Sequence, residues 1–113
     1  MDEIQDFDII KLLTVLRSSD GDGVTKYSLP EGEAVIERDE RSFIFRWGFG
    51  GDAKSYLRSS YVYRDEDEGL VEFNILTNLL GAVSRVEILK VTGLEDLKSG
   101  PDLVKLEKVE IGD

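Results

Sequence analysis

The spacing of apolar residues changes once along this chain, and that change limits the folds open to it. Over residues 2–18, Ile9, Leu12, Leu13 and Leu16 recur at intervals of three and four, with Phe7 and Ile10 widening the stripe. This spacing gathers apolar side chains on one face of an α-helix. Asp2 with Gln5 forms a capping-box pattern, and Asp6 and Asp8 lie near the end of the helix where carboxylates are favoured. The turn-forming run from Ser18 to Gly23 then stops the helix.

From residue 24 the period becomes two. A short strand is expected over 24–29, ended by Pro30 and Gly32. Residues 33–38 and 41–49 read as a hairpin around Asp39 and Glu40. Its second arm places Phe43, Phe45, Trp47 and Phe49 on one face and Ser42, Ile44, Arg46 and Gly48 on the other. Residues 55–64 and 70–76 read as a second hairpin, with Leu57, Tyr61 and Tyr63 turned inward against Val71, Phe73 and Ile75. A turn over 77–81, a strand over 82–91, a short helical turn over 94–98 and a closing strand over 103–111 complete the reading.

One helix followed by a run of strands argues for the α+β class. The expected architecture is an N-terminal helix packed on a curved antiparallel β-sheet of about six strands, with a partly closed barrel as the alternative. A chain of 113 residues has room for one core, so residues 1–113 are read as a single domain.

Composition narrows the chemistry. The chain contains no histidine and no cysteine. It therefore lacks the commonest general base, the thiol nucleophile and the usual ligands of zinc. The net charge is −10, with six basic against eleven acidic side chains in residues 1–50 and eight against thirteen in 51–113. A phosphate backbone would be repelled by such a surface, so nucleic acid is not an expected partner and a basic protein is. The acidic N-terminus is unlike a signal peptide and no apolar run is long enough to span a membrane, so no membrane partner is expected and the cytoplasm is the expected compartment.

Two constellations stand out. Seven of the ten aromatic residues lie between positions 43 and 63, where the local charge is reversed: Arg38, Arg41, Arg46, Lys54, Arg58 and Arg64 face only Asp39, Glu40 and Asp52. Arg46, Trp47, Tyr56, Arg58, Tyr61, Tyr63 and Arg64 are the candidate binding residues there, because guanidinium forks and aromatic rings anchor both ligands and protein interfaces. The plain alternative is that Phe43, Phe45, Trp47 and Phe49 are core and the arginines ordinary surface. The second constellation is the carboxylate run Asp65, Glu66, Asp67 and Glu68, which would meet a basic partner or simply form a solvated hairpin tip. Asp20, Asp22 and Glu31 have the outer spacing of a calcium loop, but Val24 and Thr25 stand where an oxygen ligand and glycine are needed.

There is no Gly-x-Ser-x-Gly elbow, and the glycines at 48, 50 and 51 precede a strand instead of a helix, so no phosphate cradle is formed. The expectation is a non-catalytic acidic protein-binding module, of the inhibitor, immunity-type or adaptor kind, recognising a basic partner without metal or cofactor. The alternative is a small-molecule-binding domain with a pocket between sheet and helix, possessing at most weak enzymatic activity, in which Arg46, Trp47, Tyr61 and Tyr63 supply the polar handles. An open strand edge near either chain end would permit a homodimer, with Lys105 and Lys108 guarding the last strand.

Overall fold

The computed structural model describes residues 8–19, 27–48 and 54–110. It contains a helix, α1 (Ile9–Ser19), and six strands: β1 (Val35–Arg38), β2 (Ser42–Arg46), β3 (Tyr56–Arg64), β4 (Leu70–Thr77), β5 (Val83–Lys90) and β6 (Glu107–Val109). The strands form one antiparallel sheet in the order β1-β2-β5-β4-β3-β6, with β1 and β6 as edges. The sheet is therefore open and the barrel alternative is not realised. The expected α+β class and helix-on-sheet packing are observed.

Among the described residues the helix opens at Asp8, and residues 2–7 of the expected helix lie outside them. The Asp8 carboxylate accepts the Lys11 backbone N–H at 3.0 Å and its carbonyl accepts Leu12 N–H at 3.2 Å, which makes it the N-cap. The proposed capping box at Asp2 and Gln5 lies outside the described residues, as do Asp6 and Phe7, residues 24–26 of the first expected strand, Asp20 and Asp22, Phe49 with Gly50 and Gly51, and Ile111. Ile9, Leu12, Leu13 and Leu16 point into the molecule as their spacing requires, and Tyr27 fixes the helix by donating its hydroxyl to the Leu13 carbonyl at 3.0 Å.

Register explains the core. Phe43 lies opposite Ile88 and Phe45 opposite Val86; Phe73 lies opposite both Ile88 and Tyr61. These residues, with Trp47, Tyr63, Val71 and Ile75, occupy the face covered by α1 and form one buried cluster with it. Burying a side chain of this size stabilises the fold by about 1.5–3 kcal/mol. The opposite face carries Ile44, Arg46, Arg85, Glu87, Leu89, Glu72, Asn74, Leu76, Val62 and Arg64, and no described helix or strand lies across it.

Three sequence expectations are corrected. Leu57 is 46% exposed and not inward, because β3 shifts register between Leu57 and Ser59, reversing the parity on either side of Arg58. Residues 94–98 form no helical turn: their backbone donors are taken by Glu40, Asp65 and Asp67. The closing strand shortens to Glu107–Val109, because Lys105 and Leu106 donate to the Asp102 carbonyl and bend the chain just before it. From the first expected strand, Ser28 survives as a single parallel bridge to Ala82.

Candidate functional site

The loops at one end of the sheet are tied together around a buried cation. Tyr61 and Tyr63 set the inward parity of β3, and Asp65 continues it past the strand end. Val86 and Ile88 set the inward parity of β5, and Lys90 continues that. The two charged residues therefore meet inside the molecule, Lys90 Nζ lying 2.5 Å from Asp65 Oδ2 and 2.9 Å from Asp67 Oδ1. Asp96 contributes its carbonyl at 3.4 Å. The ammonium thus has three acceptors, as its three protons require.

Asp65 is a loop organiser. Besides Lys90, it accepts the backbone N–H groups of Glu66, Lys98 and Ser99 and the Ser99 hydroxyl, all within 3.0 Å. Tyr63 donates its hydroxyl to the Ser99 carbonyl at 2.5 Å. Burial by itself raises the Asp65 carboxyl, but the hydrogen bonds from Lys90, Lys98, Glu66 and Ser99 together hold it below the usual carboxylate range. The hydrogen bond from Lys90, then that from Gly69 N–H, holds Asp67 at about 2. Burial lowers Lys90, and its bonds to Asp65 and Asp67 outweigh that and raise it. Burial, reinforced by the charge of Asp65, pushes the Tyr63 hydroxyl well above its ordinary value. An ammonium so enclosed is not placed to act as a nucleophile; it holds the β3–β4 turn and the loop after β5 in one geometry.

Two glycines make room for it. A Cβ on Gly69 would sit 2.4 Å from the Thr92 carbonyl oxygen and 2.7 Å from Lys90 Cε. Gly93 adopts φ +98°, and a Cβ there would come within 2.7 Å of Asp67 Oδ2.

The surface built over this knot has an acidic excess, six exposed carboxylates against exposed Arg38, Arg64 and Lys98. The β1–β2 turn joins the loop after β5 through Leu97 N–H to the Glu40 carbonyl at 2.8 Å, and Arg41 donates to the carbonyls of Gly93 and Glu95 at 2.9 Å each. The same loop is bound to the β3–β4 turn through Asp65 and Asp67. Asp39, Glu40, Glu66, Glu68, Glu95 and Asp96 are all exposed on these three joined loops. Asp39 is held below its usual range by the Arg41 backbone N–H and then the Ser42 hydroxyl.

The sequence-predicted site residues separate. Trp47, Tyr61 and Tyr63 are buried beneath α1, with Trp47 stacked on Phe45 at 6.2 Å between ring centroids. Arg46 lies on the opposite face, 3.2 Å from Glu37. The expected pocket handles are thus core packing and a far-face ion pair, and they do not line a common pocket. Tyr56 and Arg58 are exposed near the other end of the sheet, while Arg64 sits at the acidic end and donates to the Glu68 carbonyl at 3.1 Å. Of the carboxylate run, Glu66 and Glu68 are solvated as a hairpin tip would have them. Asp65 is buried and Asp67 largely so, because Lys90 reaches both. Lys90, Glu95 and Asp96 were not singled out from sequence; the signal for Lys90 was its inward parity on a strand of alternating apolar residues.

Among the described residues no group of three or more acidic side chains is arranged to hold a metal ion, and no helix is long and apolar enough to cross a membrane. Comparison with protein-family models, with curated proteins and with solved structures found no match.

Proposed function

We propose that this protein is a non-catalytic binding module that recognises a basic protein partner through the acidic end of its sheet. The observation that carries this reading is the convergence of exposed Asp39, Glu40, Glu66, Glu68, Glu95 and Asp96 on three loops, two of them locked together by Lys90, Asp65 and Asp67 and the third tied on by Arg41 and the Leu97–Glu40 hydrogen bond. Loops already ordered lose less entropy on association, so more of the interaction energy appears as affinity. A concentrated field of one sign speeds encounter with a partner of the other sign.

Capture of a partner from cells of the source organism, followed by association kinetics over about 0.05 to about 0.5 M salt, tests the reading. The association rate is expected to fall steeply with salt, and a partner whose rate ignores salt would end the proposal.

A second reading, small-molecule binding, has one observation in its favour. An open groove of about 510 Å³ runs between α1 and residues 99–105, with Leu12, Val15 and Pro101 beside Lys11, Lys105, Asp8 and Asp102. Thermal-shift measurement against a panel of metabolites and nucleotides tests it, since a bound ligand raises the melting temperature with its concentration.

A further inference from the structure

β1 ends the sheet and, among the described residues, is paired only on its β2 side. Asp39 N–H donates to the Ser42 carbonyl at 3.1 Å. The alternation of an antiparallel ladder then assigns the backbone groups of Glu37 and Val35 to Ile44 and Arg46, and turns the N–H and C=O of Ile36 outward along the edge. The other edge, β6, is only three residues long and carries Lys108, a common guard against further pairing. β1 has neither lysine nor proline, and Val35 and Ile36 are 65% and 53% exposed.

Beside this edge, α1 and β1 leave an open groove of about 350 Å³. Phe45 and Trp47 line it together with Ile9, Ile10, Ala34 and Ile36. A strand laid against β1 would place every second side chain on the Ile36 face, over this groove. The charged residues lining the groove are Asp8 and Glu33, both exposed carboxylates.

We propose that the β1 edge takes up one further strand: an extended segment of the basic partner, with an apolar residue seated in the groove and lysine or arginine on either side. The main chain supplies affinity through pairing with Ile36, and the groove selects the apolar residue. This rests on the reading that the partner is basic. A second copy of this chain fits poorly, since it would bring like carboxylates together on a protein of net charge −10.

The test uses the ¹⁵N-labelled full chain titrated with a seven-residue peptide alternating lysine with valine and isoleucine. Two further versions of the peptide are methylated on one or the other set of alternate backbone nitrogens. Saturable binding is expected, with exchange of the Ile36 amide slowed and one methylated version, not both, failing to bind. Ile36→Pro should weaken the peptide by about tenfold through loss of an edge hydrogen bond. Because the lost N–H faces outward, the β1–β2 ladder is kept. Ala34→Arg, which fills and charges the groove, should weaken it similarly and serves if the proline variant melts early. Shifts confined to residues 66, 68 and 95, unmoved by Ile36→Pro, would overturn strand addition while leaving the acidic-end reading intact. Absence of saturable binding, or sedimentation as a dimer paired through β1, would overturn it too. Salt-insensitive association with the cellular partner sinks the broader function even where the peptide adds to β1.

Discussion

Lys90 and Asp65 form an ion pair with both side chains wholly removed from solvent, bringing the end of β5 against the β3–β4 turn. Removing one member of a buried pair leaves the other as an uncompensated charge, which costs about 3–5 kcal/mol. Lys90→Met should lose that much by urea denaturation, with the largest changes in amide exchange over residues 93–99. An unchanged midpoint would mean that water solvates Asp65 in solution.

Acid should weaken the fold through the same cluster. Asp65 and Asp67 are both depressed in the folded state, Asp67 to about 2. Their contribution is complete above the unfolded carboxylate value of 3.8 and is lost as pH falls through the folded values. Lys90 and Tyr63 are raised, so their contributions hold below 10.5 and 10.0 respectively and are lost as pH climbs through the higher folded values. Melting temperature against pH should therefore drop below about 4 and above about 10. In Lys90→Met the acid drop should be smaller, since the lysine no longer depresses the carboxylates.

Gly69→Ala should destabilise by about 1–3 kcal/mol, because the nearest obstacle is a backbone oxygen that cannot rotate away. Gly48→Ala is the control: nothing lies within 4 Å of its Cβ, and its effect should stay within about 0.5 kcal/mol. Thermal melts of the two variants, compared directly, check both.

Glu66→Lys combined with Glu68→Lys reverses two exposed charges that are outside the buried knot. Melting should change little, while association with the cellular partner should slow several-fold at low salt and converge with wild type at high salt. Equal rates at low salt would place the contact elsewhere.

Much of this could be read from residue spacing. The parity of Phe43, Phe45 and Trp47, and of Tyr61 and Tyr63 against Val71, Phe73 and Ile75, located three strands and their buried face, since apolar alternation responds directly to burial. Leu57 misled because a one-residue bulge leaves no mark in a polar stretch such as Arg58-Ser59-Ser60. The acidic end was half visible: a run of four carboxylates announces a turn, yet which of them turn inward depends on a lysine beyond β4, on the next strand. Pairing over such a distance is fixed by the sheet order, which local patterning does not encode. The groove beside β1 was likewise invisible, being made by a helix and a strand that are far apart in sequence.

The sheet order also governs how the protein emerges during synthesis. β3, β4 and β5 are neighbours in sequence and in space, but β2 reaches β5 only across that whole meander, with Ile44 opposite Glu87. The β1–β2 hairpin is made first and must wait for β5 before Phe43, Phe45 and Trp47 gain their cover on that side. Until then, the β5 flank of these three rings stays open on the nascent chain, transiently exposed apolar surface of the kind that favours aggregation. Closing so distant a contact is also the step expected to limit the rate of refolding.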